Sequence, residues 1–369
     1  MQILLIVLIF FLTLFFYLHI NFHLKTSDDL EIFDIDQPSK EKLEEICDMR
    51  QPVLFKFNFN NGLDLCRRQA MLDTYGAFDI KRRTLPTSDL AESYTATSLR
   101  AAQGLLQGQG PSQGQGPCHL FESNQDFLEE TTLIKCFKYN DSFLRPPMVC
   151  DCTYDILLAS PGTHTPLKYE INYRNYFVVL EGNTKIKLAP PKSSKYLFPI
   201  QDYELLEFRS PVDPWQVQPM YAPDFSKVKC LEFALTPGQV FFIPAYWWYS
   251  LEFGEETTVC TFKYRTFMNQ VAIAPHLFTH VLQTQNVKRN MLNRLNTDEA
   301  PTPATGPAPG QSHFITENNN ILPVEANVVG ANAVGANIVG ANAVGANLVG
   351  ANVVGANIVG ANAVSANNI

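Results

Sequence analysis

The run Val240-Phe241-Phe242-Ile243-Pro244-Ala245-Tyr246-Trp247-Trp248-Tyr249-Ser250-Leu251-Glu252-Phe253 constrains this chain more than any other stretch. Val240 to Ile243 is β-branched and aromatic, the composition of a buried strand. Gly238 turns the chain into it. Pro244 has no N–H to donate to a ladder, so the strand must break there and restart at Trp247. Trp247-Trp248-Tyr249 then sends alternating bulky side chains to the two faces of a new strand. Two of the three Trp lie in this run, and the chain's 26 Phe and 14 Tyr are ample for a β-rich core. On residue type alone, Tyr246, Trp247 and Trp248 read as core aromatics.

Bulk properties exclude several function classes. The formal charge of −8 leaves no basic excess to neutralise phosphates, which argues against nucleic acid as a partner. The eight Cys include no Cys-x-x-Cys pair, so they read as ordinary buried or free thiols rather than a zinc site. No phosphate-binding glycine loop occurs.

Residues 3–18 carry no charge, and extension through Ile20 and Phe22 reaches the ~20 residues a helix needs to cross a bilayer. A soluble helix would show a polar face, and a cleaved signal would show a basic start and a small-x-small site; neither is present. The expectation is an uncleaved single-pass anchor over 1–24, making a membrane the first partner and the localisation. Lys25 slightly favours a cytosolic body. His19 and His23, one turn apart at its end, suit an interface better than a metal.

A polar tether over 25–44 leads to a short helix at about 39–48 and a strand over Leu54–Phe59. Thr84 to Leu106 reads as partly helical, and the Gln- and Gly-rich stretch 103–117 as a low-complexity surface insertion. Further strands are expected over Met148–Leu158 and on either side of Glu181-Gly182-Asn183, with a turn at Ser160–Thr163. Asn140-Asp141-Ser142 is a glycosylation sequon.

Thr165-Pro166-Leu167, Asn175, Gly182 and Pro190-Pro191, followed by the Trp-Trp strand, resemble the cupin-like and jumonji-C families. The resemblance covers roughly 45–290 and implies a mostly β double-stranded β-helix, the cupin or jelly-roll fold, with flanking helices. Pro219, Tyr221, Lys263–Asn269 and Leu282–Asn286 look like features of a subgroup encoded by large DNA viruses, which implies a viral or host membrane. Enzymes of these families hold Fe(II) with two His and a carboxylate, leaving positions for 2-oxoglutarate and oxygen. Where the resemblance puts His-x-Asp, this chain has Lys168-Tyr169-Glu170; where it puts the distal His, it has Tyr249; where it puts the oxoglutarate lysine, it has Thr184. A one-residue slip of register offers Tyr169 and Ile171 instead, again without a histidine. Lys185 and Lys187 alternate to the opposite face.

The resemblance thus implies a degenerate pocket at Lys168, Glu170, Asn175, Thr184, Trp247 and Tyr249, with no catalytic residue, metal or cofactor. Lys168 is expected to pair with Glu170 or to stand where the metal's charge would be. The alternative is an active Fe(II)/2-oxoglutarate hydroxylase with unusual ligands, drawing on His164 or the i, i+4 pair His276 and His280. The expected partner besides the membrane is a protein, or a small carboxylate held by Lys168 and Tyr249.

Ala300–Gly310 is the Pro-rich centre of a linker spanning 291–325. From Ala326 the unit Ala-Asn-x-Val-Gly repeats every five residues, with Ser365 in the last Gly position. This tail, 326–369, resembles pentapeptide-repeat proteins, whose units wind a square β-helix at four units per coil. About two coils would result, so a short or self-associating β-helix and a flexible repeat both remain as readings.

Overall fold

The computed structural model describes residues 2–59, 61–84, 93–107 and 118–286, with three two-residue strands beyond them. Most of the low-complexity insertion, the linker and the repeat tail lie outside the described residues. The chain divides into two units, Met1–Pro301 and Thr302–Ile369.

In the first unit, helix α1 (Gln2–Leu24) precedes strand β1 (Phe33–Ile35). Helix α2 (Lys40–Cys47) is capped by Ser39, whose hydroxyl accepts from the Lys42 N–H at 3.2 Å. Strand β2 (Val53–Lys56) and helix α3 (Arg68–Tyr75) follow, then β3 (Asp79–Thr84), β4 (Ser93–Ser98) and α4 (Leu99–Leu106). Strand β2 is shorter than the expected Leu54–Phe59 because Phe57 and Phe59 leave the ladder to pack on the helices. Of the described residues between Thr84 and Leu106, Ser93–Ser98 is strand and Leu99–Leu106 helix, and Leu106 is buried in the core rather than belonging to a surface insertion.

Strand β5 (Leu120–Phe121), helices α5 (Gln125–Glu130) and α6 (Ile134–Leu144), and strand β6 (Val149–Ala159) come next. Then come β7 (Lys168–Tyr169), β8 (Arg174–Glu181), β9 (Thr184–Ala189), β10 (Ile200–Asp202), β11 (Glu207–Arg209), helix α7 (Ala222–Phe225) and β12 (Leu231–Leu235). The aromatic run forms β13 (Gln239–Ile243) and β14 (Trp248–Phe253). Tyr246 in the break takes φ 67°, and the second strand starts at Trp248, one residue later than expected. Strand β15 (Thr258–Thr266), helices α8 (Phe267–Ala272) and α9 (Ala274–Asn286), and β16 (Asn293–Arg294) complete the unit.

Two sheets result, in the orders β1-β2-β13-β8-β15-β6-β5-β3-β4-β16 and β10-β11-β7-β14-β9-β12. All pairs are antiparallel except β1 with β2 and β4 with β16. Alternation explains the layering. Phe177, Val179, Phe241 and Val259 face the smaller sheet and meet Ile186, Leu188, Leu251 and Phe253. Tyr176, Val178, Phe242 and Phe262 point the other way, onto α2 to α6. The large sheet is therefore covered on both faces, which is why β8 is apolar on both alternations. The strands flanking Glu181-Gly182-Asn183 do not pair with each other; β8 lies in the large sheet and β9 in the small one, so this corner closes the jelly roll.

Trp247 and Tyr249 lie between the sheets and Trp248 on the outer face of the smaller one, the alternation the sequence calls for. The Asn140 amide of the sequon is buried and donates to the Cys136 carbonyl at 2.9 Å. All eight Cys are free thiols.

In the second unit, strands β17 (Ile338–Val339) and β18 (Ile358–Val359) pair in parallel. Ile338 faces Ile358, a spacing of four five-residue repeats.

Candidate functional site

Strand β7 carries the centre of the site, although it is only two residues long. Its entry is pinned by Thr165, whose hydroxyl accepts from the Leu251 N–H at 2.9 Å and whose carbonyl accepts from the Ser250 hydroxyl at 2.6 Å. Lys168 then sits opposite Tyr249 on β14 and Arg209 on β11, with its side chain between the sheets.

There its ammonium meets carboxylates from distant strands. Lys168 Nζ lies 3.0 Å from Glu122 Oε2 and 3.5 Å from Glu207 Oε1. Arg83, fully buried on β3, bonds Glu122 and reaches both oxygens of Glu207 at 2.9 and 3.1 Å. Asp155 sets the bend that aims Glu122 inward by accepting from the Ser123 and Asn124 N–H groups at 2.8 and 2.7 Å.

A second group adjoins it. Glu170 Oε1 accepts from the Tyr249 hydroxyl at 2.9 Å and from Lys263 Nζ at 2.8 Å, while Asn172 donates to its other oxygen at 3.3 Å. Glu170 is thus paired with Lys263, and Lys168 with Glu122 and Glu207, rather than Lys168 with Glu170 as expected. The reason is that β11 and the bend after β5 bring two carboxylates to the ammonium, while the inward face of β15 delivers Lys263.

Burial alone would push the Glu122 carboxyl up, but the Lys168 ammonium and the Arg83 guanidinium hold it well below the usual carboxylate range. Burial would likewise depress Lys168, and Glu122 with Glu207 raises it instead, so it stays an ammonium. Glu170 is held down against burial by Lys263 and then Lys168. Tyr249 is pushed up by burial and by the Glu170 charge and stays a phenol. Asp155 is raised by burial, against its two N–H donors.

These shifts fix a pH dependence. Glu122 and Glu170 have depressed folded values, so their contribution is present above the ordinary 4.5 and is lost as pH falls through the folded values. The raised Asp155 has the opposite sign and offsets part of this loss. Lys168 is raised, so its share persists to alkaline pH beyond 10.5. Thermal melts by circular dichroism from acid to neutral pH should show the midpoint falling steeply on the acid side, and less steeply in Glu122→Gln. An unchanged acid slope in that variant would count against Glu122 as the linked group.

Between the two groups remains a cavity of about 40 Å³, lined by Glu122, Asp155, Lys168, Phe177, Tyr249 and Lys263 among others. That is room for about one water and far under the ~300 Å³ at which small-molecule pockets begin. Fe(II) and 2-oxoglutarate do not fit this donor set. An ammonium has no lone pair to give a metal, and the carboxylate and phenol beside it are already bonded to one another. Among the described residues, no group of three His, Cys, Asp or Glu is placed to hold a metal.

The other expected site residues are elsewhere. Asn175 is buried and donates to the Ile243 carbonyl at 3.2 Å. Thr184, where the resemblance expects the oxoglutarate lysine, turns its hydroxyl onto the Glu252 carbonyl at 2.8 Å. Trp247 is core. None of the three lines the cavity. Lys185 and Lys187 do face outward, pairing with Glu252 and Glu232. His164 pairs with Asp213 at 3.0 Å, and His276 and His280 both turn to Tyr203. Sequence reading missed Arg83, Glu122 and Glu207, and it saw Lys263 only within a resemblance. The one available signal was Lys263 falling in phase with inward Val259 and Thr261.

Residues 76–270 match the family described as cupin-like domain, and 325–362 match eight copies of the pentapeptide repeat. Human HSPB1-associated protein 1 is 29% identical over 103 residues, 28% of this chain and 21% of that protein. Jumonji C domain-containing protein 5 of Drosophila melanogaster is 32% identical over 92 residues, 25% of this chain and 22% of the relative. Lysine-specific demethylase 8 of Danio rerio is 32% identical over 99 residues, 27% of this chain and 24% of the relative. Each match therefore spans under a quarter of the relative's length. All three are animal proteins and lend no support to the viral subgroup.

Proposed function

The chain belongs to the cupin-like domain family, and on that premise we propose that it is a non-catalytic member, a membrane-anchored binding or scaffold module. The observation that carries this reading is the closed ion-pair network at Lys168, Glu170 and Tyr249. Protein groups satisfy all three positions and leave about 40 Å³ between them. So small a cavity argues against the small carboxylate ligand and in favour of a protein partner on the outer surface. Membrane anchoring is supported by α1, whose 23 residues carry no acidic or basic group but His and whose apolar side chains are exposed.

A second reading, a hydroxylase with atypical ligands, is favoured by the relative named as a lysine-specific demethylase. Only the Pro219, Tyr221, Lys263–Asn269 and Leu282–Asn286 resemblance favours a structural role in a viral membrane. Anaerobic loading of the full chain in detergent with Fe(II) and 2-oxoglutarate, followed by admission of oxygen, separates the first two. Substoichiometric iron and no succinate are expected. One tightly held iron per chain with succinate formation would establish the hydroxylase.

A further inference from the structure

We propose that the cavity where α1 meets the domain binds an acyl chain of a bilayer phospholipid. The proposal rests on α1 being a membrane anchor. The cavity measures about 430 Å³ and its wall is largely apolar: Leu18 and Phe22 from α1, Pro147 and Met148 ahead of β6, and Met268 from α8. This is the size of a small-molecule site, and methionines adapt readily to a slender, mobile chain.

The anchor does not hang from a loose tether at this point. His23 is buried, with Nε2 3.3 Å from the Thr266 hydroxyl, Nδ1 2.9 Å from the His19 carbonyl, and its ring 5.1 Å from that of Tyr173. The Arg50 guanidinium stacks on Phe22 at 5.1 Å and on Tyr173 at 4.7 Å. The last turn of α1 is therefore docked on the domain, and the cavity is built partly from the span itself.

Depth follows from helix geometry. A hydrocarbon core of about 30 Å takes up about 20 residues at about 1.5 Å each. Counted from Gln2, these end at Asn21, so Leu18 lies within lipid and Phe22 at its edge. Met148, 70% exposed and lining the same cavity, must then lie at that depth. The cavity opens on hydrocarbon rather than water. Arg50 is 2% exposed, and its Nε and Nη1 have no hydrogen-bond partner among the described residues. Its charge behind the aromatic wall favours a lipid with a phosphate head over a cationic one.

The test uses the full chain in phosphatidylcholine nanodiscs, with benzoylphenylalanine placed singly at Met148, at Leu8 in the span, or at Met220. Met220 is 74% exposed and does not line the cavity. After irradiation, mass spectrometry should find lipid adducts at Leu8 and at Met148, the latter severalfold above Met220. Met268→Trp, which narrows the cavity, should cut the Met148 adduct severalfold and leave that at Leu8 unchanged. Labelling at Leu8 with Met148 no better than Met220 overturns the lipid site and leaves the anchor standing. So does a Met148 adduct indifferent to Met268→Trp in protein that retains its fold. No adduct at Leu8 removes the anchor and the proposal with it.

Discussion

Lys168→Met should destabilise the cupin-like domain by about 3–5 kcal/mol, the usual cost of removing one member of a buried ion pair. The Lys168 side chain is 11% exposed, and its partners Glu122 and Glu207 are 3% and 13% exposed, so solvent screening does little to soften the loss. Methionine keeps most of the packing volume and deletes the charge, leaving two carboxylates to share Arg83 alone. At about 2–4 °C per kcal/mol for a domain of this size, the thermal midpoint should fall on the order of 10 °C. Adding Glu122→Gln should recover part of the loss, because the uncompensated charge is then gone as well. A double-mutant cycle by thermal or urea unfolding would show a coupling of about 1 kcal/mol or more. Strict additivity would mean that Lys168 acts through packing and that the ion-pair account of the site is wrong.

Gly182→Ala should be comparably severe, for a reason of shape rather than charge. Gly182 has φ +72°, and a Cβ there would stand 2.5 Å from both the Cα and the hydroxyl of Thr257 and 2.7 Å from the Glu255 carbonyl. Backbone atoms cannot swing aside, so the corner between β8 and β9 would have to open. Thr257 is itself committed to that corner, accepting from the Asn183 N–H at 3.1 Å and donating to the Asn183 carbonyl at 2.6 Å. Positive φ for a residue with a Cβ and the displaced backbone together predict a loss of about 3 kcal/mol or more. Gly104→Ala supplies the control. Gly104 lies in the exposed face of α4 with nothing within 4 Å of a new Cβ, and alanine there should stabilise by about 0.5–1 kcal/mol. If both variants melted alike, the crowding at Gly182 would be refuted.

The readable parts of this chain are those whose cause is local. The β13 strand, its break at Pro244 and the alternation of Trp247, Trp248 and Tyr249 follow from β-branching, a missing N–H and the two-residue period of a strand. Strand β6 lies within a residue of its expected bounds, and α2 begins at the serine that caps it. The crossing at Gly182 was not readable, since two strands joined by a short turn look alike whether they pair or part into facing sheets. Nor were the partners of Lys168. Glu122, Glu207 and Arg83 are ordinary charged residues in sequence, and nothing near them marks them as buried.

From its residues alone the chain settles that lysine, glutamate and tyrosine stand where the resemblance expects metal ligands, with no imidazole among them. It settles also the length of the first apolar run and the five-residue period of the tail, since composition and period are properties of neighbours along the backbone. Which carboxylates meet the ammonium, and how little room they leave, only the packed sheets decide. Those contacts join β3, β7, β11 and β15 across long separations in sequence, and electrostatic energy between buried groups depends on distance in space and on the exclusion of water.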